Sequence, residues 1–246
     1  MPLHHRHARI ALPLALGTLF PLLVAACGAP PSSPSPASAA TPPVASPSAA
    51  APTVAFSIAG KNLIVNGDAE AAPGTDGGSV APNVPGWTRT GQFTAIAYTT
   101  ANSGNYPALN DPGPPDRGRN FFGGGPNADR SGAVQTVDVS DVGPVLDTGK
   151  ISYTFSGWLG GYRGQDDQAQ VTAQFLRADG AVLATASLSV VLDNDRGGKT
   201  ALLLRSANGG VPAGTRRIKV DVEMIRKAGD ANDGYVDDLS LVLNPA

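Results

Sequence analysis

The stretch that decides the fold is Asp233-Gly234-Tyr235-Val236-Asp237-Asp238-Leu239-Ser240-Leu241-Val242-Leu243, close to the C-terminal end of the 246-residue chain. Side chains alternate between the two faces of an extended strand. One face therefore carries the more apolar set, Tyr235, Asp237, Leu239, Leu241 and Leu243. We expect this face to point into the core, which buries the carboxylate of Asp237. A buried carboxylate is costly unless it is paired or bound to a metal ion.

A second acidic motif lies in Asn62-Leu63-Ile64-Val65-Asn66-Gly67-Asp68-Ala69-Glu70. Here too a short apolar run leads directly into carboxylates. We expect the first and last strands to lie side by side and to share one cation. Calcium suits such a set, because it prefers carboxylate and carbonyl oxygens. The alternative is that these acids accept hydrogen bonds within turns or pair with Lys61 or Arg89.

These two motifs, together with Pro85-Gly86-Trp87, resemble the carbohydrate-binding modules of the cellulase-associated type, which belong to the galactose-binding-like jelly-roll superfamily. The resemblance implies a structural calcium held by Glu70 and Asp237, with Asp68 assisting through its side chain or its carbonyl oxygen. It also implies that Trp87 packs in the core. At Ala69 the family typically has a large apolar residue instead.

Residues 1–27 have the pattern of a lipoprotein signal peptide. A short basic region precedes an apolar run, Ile10 to Val24, which is too short and too interrupted by proline for a membrane span. The run ends in Val24-Ala25-Ala26-Cys27, which resembles a bacterial lipobox, so Cys27 is the expected lipidation site. The alternative is an ordinary secretory signal. We therefore predict an exported protein whose only membrane contact is a lipid anchor facing outside the cytoplasm.

The segment that follows, residues 28–54, consists almost entirely of proline, serine and alanine. Such a composition cannot bury a core and predicts a disordered, extended linker. Residues 55–246 form the predicted single folded domain, which we expect to be monomeric. This domain has no cysteine for a disulfide bond, but it is long enough to bury a core of its own.

Composition excludes several functions. The three histidines and the single cysteine all lie within residues 1–27, so the remaining chain has neither an imidazole nor a thiol. Serine-histidine and cysteine-histidine catalysis is therefore excluded, and zinc loses its usual ligands. With 18 basic and 20 acidic residues the chain has no basic footprint for nucleic acid. A carboxylate-based glycoside hydrolase is the remaining enzymatic alternative, and we predict that the protein is not an enzyme.

The predicted domain is all-β, because short alternating segments are separated by turns rich in glycine, proline, asparagine and aspartate. The candidate strands are 63–65, 86–89, 93–98, 119–122, 133–139, 150–159, 169–177, 181–190, 200–205, 215–225 and 235–243. Gly123-Gly124-Gly125 is a predicted turn. This spacing of strands indicates a single jelly-roll β-sandwich.

The candidate carbohydrate site is the loop Gly160-Gly161-Tyr162-Arg163-Gly164-Gln165-Asp166-Asp167-Gln168, directly after Trp158. Sugar recognition requires an aromatic platform and polar side chains, and Trp158, Tyr162, Arg163, Gln165 and Asp166 supply them. Strand parity puts Trp158 on the exposed face, unless a bulge at Gly157 turns it inward. Alternatively, the loop is merely a polar hairpin in which Arg163 pairs with Asp166 or Asp167.

The leading functional hypothesis is non-catalytic binding of extracellular or cell-wall carbohydrate by a calcium-stabilised sandwich. The alternative is a structural or adhesive envelope module that binds a protein. The positions of Trp158 and Tyr162 discriminate between the two. A shared concave surface favours sugar, whereas burial of both side chains favours adhesion.

Overall fold

The computed structural model describes residues 56–98 and 105–246. The predicted signal peptide with Cys27, and the predicted linker, lie outside these residues. Ten strands occur in the described part: β1 Thr88–Thr90, β2 Thr94–Ala97, β3 Asn120–Pro126, β4 Arg130–Asp138, β5 Ile151–Gly161, β6 Gln168–Leu176, β7 Val182–Leu188, β8 Ala201–Gly210, β9 Arg217–Ile225 and β10 Ala231–Pro245. A 3-10 turn, Ser140–Val142, leads into α1, Gly143–Leu146, and α2 is Asp193–Arg196. These helical segments have three or four residues each, and none found in this part of the chain could span a membrane.

The strands form two five-stranded antiparallel sheets. The first sheet has the order β1-β4-β9-β6-β7, and the second has the order β2-β3-β10-β5-β8. The inward faces of both sheets pack together in one apolar core, to which β9 contributes Ile218 and Val220 and β10 contributes Leu239 and Leu241. The predicted all-β, jelly-roll β-sandwich is confirmed.

Trp87 lies in this core, as the resemblance implies. Its ring packs edge-on against Phe122, with 5.9 Å between ring centroids, and also contacts Phe93. Its indole Nε1–H donates to the carbonyl oxygen of Asn66 at 3.0 Å. The bond satisfies the one polar group of a side chain that is otherwise apolar.

Two of the expected local structures are wrong. The segment 63–65 is not a strand but a bend leading into turns, although the chain on either side of it does bond to β10. The glycines at 123–125 form no turn, because they lie inside β3. A side chain at Gly124 would put its Cβ 2.3 Å from the side chain of Asn232, and Gly125 has a φ of +81°. Glycine at these positions therefore serves close approach and backbone conformation within the strand.

Strand β10 lies in the middle of the second sheet, between β3 and β5. Its register against β5 shifts between Asp237 and Ser240, which is a β-bulge, and Asp238 within it has a φ of +47°. Bulges of this kind interrupt the regular alternation of side chains. Each side chain before the bulge therefore points to the face opposite to the one that simple alternation predicts.

Because of this bulge, the prediction of which side chains of β10 face the main core is wrong for the residues before it. Leu239, Leu241 and Leu243 do enter the main core, but Val236 joins them there instead of Tyr235. Tyr235 lies on the outer face of the second sheet, in a separate cluster of buried residues that we call the outer cluster: Ile96, Tyr98, Phe121, Leu202 and Tyr235. Asp237 is fully buried, as predicted, but on this outer face, where Tyr98 contacts it.

Candidate functional site

The N-terminal acidic motif lies beside β10, as predicted for the two ends of the domain. The N–H of Leu63 donates to the carbonyl oxygen of Leu241 at 2.9 Å, and the N–H of Leu239 donates to that of Gly67 at 2.9 Å. The amide side chain of Asn62 binds the same strand, donating to the carbonyl of Leu239 and accepting from the N–H of Leu241. This segment therefore extends the pairing of β10 beyond the end of β3.

Glu70 connects this motif to the start of β3. Its Oε1 accepts the backbone N–H groups of Arg119 and Asn120 at 2.6 and 2.7 Å. Its Oε2 accepts from Nε of Arg119 at 3.0 Å. The expected alternative partners are not used, because Arg89 donates to backbone carbonyls and no ion pair of the described residues contains Lys61.

Asp237 is held by protein donors as well. Its Oδ2 accepts from the hydroxyl of Tyr98 at 2.6 Å, and its Oδ1 accepts the N–H of Asp238 at 2.8 Å. Burial raises the pKa of Asp237 to about 9, an effect that the hydrogen bond from Tyr98 opposes. Repulsion from Asp238 and Glu70 raises this pKa further. Burial thus favours the protonated form of this carboxyl group.

Several carboxylates lie close enough to repel one another, and we call them the acidic cluster: Asp68, Glu70, Asp116, Asp237 and Asp238. Burial, followed by repulsion from Asp116, Asp68 and Glu70, raises the pKa of Asp238 to about 6. Asp68 and Asp238 also line a cavity of about 300 Å³ with Asn62, Asn66 and Ser240. The oxygen donors fit calcium in type. Within residues 56–98 and 105–246, however, no three acidic side chains form a ready-made metal group.

The predicted sugar-binding loop divides into two parts in the structure. Tyr162 and Arg163 remain near the outer cluster, and the Arg163 guanidinium lies over the Tyr162 ring at 4.8 Å from its centroid. Gln165 turns the other way and lies against Gly229. Asp166 accepts the N–H of Asp193 at 3.0 Å, at the start of α2. The loop therefore does not bring all four polar candidates to one surface.

Trp158 lies on the outer face of the second sheet, as strand parity predicts. It pairs with Asp237 on one side and Leu204 on the other, and β5 has no bulge against β8 at Gly157. Trp158 and Tyr162 are both half-buried, and both pack against the outer cluster. The two side chains therefore neither line a shared concave surface, which would favour sugar binding, nor are both fully buried, which would favour adhesion.

A cleft of about 380 Å³ lies next to these residues and is the candidate site that sequence analysis missed. Three chain segments line it, contributing Tyr106, Ala108, Asp111, Pro112, Arg163, Lys199 and Thr200. Of the predicted ligand-binding residues, only Arg163 is among them. The others lie beside the cleft or turn away from it.

The wall formed by residues 105–118 is fastened through Arg117. Its guanidinium donates to the carbonyl oxygens of Ala108, Asp111 and Pro114, at 2.7 to 3.0 Å, and lies over the Tyr98 ring. Charge-assisted bonds of this kind hold backbone geometry well. This wall is therefore fixed from within, although the sequence between its ends is mostly proline, glycine and polar residues.

The opposite wall is fastened through Arg196, the last residue of α2. Its buried guanidinium donates to the carbonyl oxygens of four residues, Gly161, Arg163, Gln165 and Lys199, at 2.5 to 2.8 Å. The N–H of Arg163 also donates to the Thr200 hydroxyl at 3.2 Å. A single buried side chain thus draws together the two segments that carry Arg163 and Lys199.

Asp167 was one of the two predicted partners of Arg163, but its buried carboxylate binds backbone N–H groups instead. Its Oδ1 accepts the N–H groups of Lys227 and Ala228, and its Oδ2 accepts that of Asp233. A carboxylate with three backbone donors is stable when buried. The loop and the start of β10 are therefore held together.

Comparisons with known proteins concern the fold. No protein-family model matches the chain, and no curated protein matches it. Among solved structures, the enzymatically active domain of tailspike protein 4 from bacteriophage CBA120 has 14% identity and a TM-score of 0.45; the match covers 74% of this chain and 21% of that one. This chain therefore spans about a fifth of the tailspike's length.

Two further solved structures are carbohydrate-binding modules. The CBM22-1 xylan-binding domain of Paenibacillus barcinonensis Xyn10C has 13% identity and a TM-score of 0.37, over 70% of this chain and 93% of that one. A CBM4 structure has 12% identity and a TM-score of 0.35, over 74% of this chain and 99% of that one. The xylan that the first name states is the ligand of that protein.

Proposed function

We propose that the sandwich binds carbohydrate without catalysing a reaction, and that the cleft between residues 105–112, Arg163 and Lys199–Thr200 is the binding site. The observation that carries this proposal is the composition of the cleft. The residues that line this space of about 380 Å³ include a tyrosine, a threonine, an aspartate, an arginine and a lysine. Sugars require this combination, since a ring face packs on an aromatic group while hydroxyls need fixed donors and acceptors.

The rigidity of both walls supports the same proposal. Arg117 fixes one wall through three hydrogen bonds and Arg196 fixes the other through four, all of them to backbone carbonyl oxygens. A preformed site avoids the ordering cost that a flexible loop incurs on binding. Affinity for a short saccharide should nevertheless be modest, with a dissociation constant in the micromolar to millimolar range, or roughly −8 to −4 kcal/mol.

The test is a glycan array probed with the full chain purified in detergent, followed by titration calorimetry with the saccharides that it retains. Tyr106→Ala should weaken binding at least tenfold, because it removes the aromatic ring from the cleft. Leu204→Ala is the matched control, since Leu204 is exposed on β8 but does not line the cleft. Melting curves of both variants separate lost binding from lost folding. Retention of no glycan at millimolar concentration would overturn the proposal.

Adhesion to a protein is a second candidate, which one observation favours. Leu204 is 53% exposed and lies beside half-buried Trp158 on the outer face of the second sheet. Tryptophan is enriched among the residues that carry most of the binding energy at protein interfaces. In a pull-down with envelope proteins, Leu204→Asp should abolish retention if adhesion is the function.

Calcium binding and anchoring are also proposals. Calcium at Asp68, Glu70 and Asp237 would supply positive charge to the acidic cluster, and the mutual repulsion of those carboxylates supports it. Lipidation of Cys27, followed by the Pro/Ser/Ala-rich linker, would hold the sandwich outside the cytoplasm at the membrane surface. The lipobox resemblance supports this localisation.

A further inference from the structure

The charge of the cleft is opposite to that of the chain. The whole chain carries a formal net charge of −2, yet the cleft is lined by two cations, Arg163 and Lys199, and by a single acid, Asp111. No ion pair found in residues 56–98 and 105–246 contains Lys199.

The carboxylate and the carbonyl group of Asp111 both bond within its own loop. Its Oδ2 accepts the N–H of Ala108 at 2.8 Å, which closes a turn in its own loop. Its backbone carbonyl accepts from Arg117 at 2.8 Å. The acid therefore has a structural task in the wall, and the balance of charge within the cleft remains positive.

The two cations are placed together by the fold. Arg196 bonds to the backbone carbonyls of Arg163 and Lys199, at 2.8 and 2.6 Å, from a position that is only 5% exposed. Its own charge faces Asp193, Asp166 and Asp167, so it is balanced by groups outside the cleft. A buried guanidinium whose bonds join these two residues makes their proximity a built feature of the domain.

We propose that the cleft selects a saccharide that carries a negative charge, as a uronic acid carboxylate or a sulfate ester does. The proposal rests on the proposed function and specifies its ligand class. The guanidinium of Arg163 offers a planar fork of donors that matches a carboxylate or a sulfate, and Lys199 adds a second positive charge. Tyr106 and Thr200 are then available to the ring and its hydroxyls.

The test compares three hexasaccharides in titrations of the full chain in detergent at low ionic strength: oligogalacturonate, its methyl ester and a sulfated galactan fragment. The methyl ester keeps the sugar backbone but loses the charge. Oligogalacturonate or the sulfated fragment should bind at least tenfold more tightly than the ester, and salt should weaken that preference. Whichever charged probe binds more tightly identifies the source of the charge.

Two variants locate the preference. Arg163→Gln and Lys199→Gln should each reduce affinity for the charged probe at least fivefold more than they reduce affinity for the methyl ester. Lys219→Gln is the control, because Lys219 lies on β9 in the other sheet and pairs with Asp221. Equal binding of charged and esterified probes, or charged-probe binding that both variants retain, overturns this inference and leaves the proposed function standing. Binding of no saccharide at all, neutral or charged, overturns both.

Discussion

Asp233 is one of the buried acids through which pH should act on the stability of this domain. It is buried, and its Oδ1 accepts from the Tyr235 hydroxyl at 2.6 Å. Burial raises its pKa from 3.8 to about 6; the bond from Tyr235 opposes this rise, and repulsion from Asp167 adds to it. The folded chain therefore keeps a proton on Asp233 in a pH range where the unfolded chain has lost it.

The proton on Asp233 makes the stability of the folded state depend on pH. Between pH 4 and 6 the folded state binds more protons at this site, so the free energy of unfolding falls as the pH rises through that window. The loss is on the order of 2–3 kcal/mol, because one pKa unit corresponds to about 1.4 kcal/mol. Urea unfolding at a series of pH values should show Asp233→Asn gaining stability relative to wild type as the pH rises. The exposed Asp230→Asn should track wild type, and parallel curves for Asp233→Asn would contradict the prediction.

At the scale of elements, the pairing of residues 62–67 with β10 joins two distant parts of the chain. The acidic cluster lies at this junction, so a cation there would stabilise the native state alone. Calcium at a hundredfold excess over its dissociation constant would add about 2.7 kcal/mol. We expect EGTA to lower the melting temperature of the full chain, calcium to restore it, and Asp237→Asn to remove the response.

The exposed Asp141→Asn serves as the control for that experiment, since Asp141 lies in the 3-10 turn, outside the cluster. Because Asp237→Asn keeps the shape of the side chain beside Tyr98, a change in response reports on charge more than on packing. Melting curves that are identical in EGTA and in calcium would contradict the proposal that this protein binds calcium.

Along β10 the sequence predicted burial correctly but assigned one part to the wrong face. Alternating apolar residues identify the strand and its buried positions, which depend only on local spacing. The bulge at Asp238 depends on a positive φ in a residue other than glycine, and local sequence gives little sign of that conformation. Tyr235 and Asp237 were therefore predicted to face the main core, whereas both belong to the outer face.

The candidate site was predictable only in part, for a similar reason. An aromatic residue and a cation in one loop indicated the neighbourhood through Tyr162 and Arg163. The remaining lining residues come from two other segments, and Arg196, which brings Lys199 to Arg163, lies more than thirty positions after Gly161. Contacts at such separation depend on the tertiary fold and have no periodic signal in the sequence.

At the scale of the whole molecule, the predicted lipid anchor would hold the proposed binding cleft at a membrane. Wild-type chain expressed in a bacterial host should sediment with membranes and be released by detergent. Cys27→Ala should block lipidation, and the protein should then accumulate either unprocessed or in the soluble exported fraction. Cell fractionation followed by immunoblotting measures this, and Ser32→Ala in the linker is the control. Wild-type protein found wholly outside the membrane fraction would exclude a lipid anchor.

The central position of β10 has a consequence for how the molecule is made. Because β10 separates β3 from β5, the second sheet cannot assemble until residues 231–245 have left the ribosome. The pairs β2–β3 and β5–β8 are joined only through β10, and pairings between such distant segments form slowly. If the chain is exported as predicted, it would gain from this delay, since a chain that cannot complete its sheet during synthesis stays unfolded enough to be threaded through a narrow secretion channel.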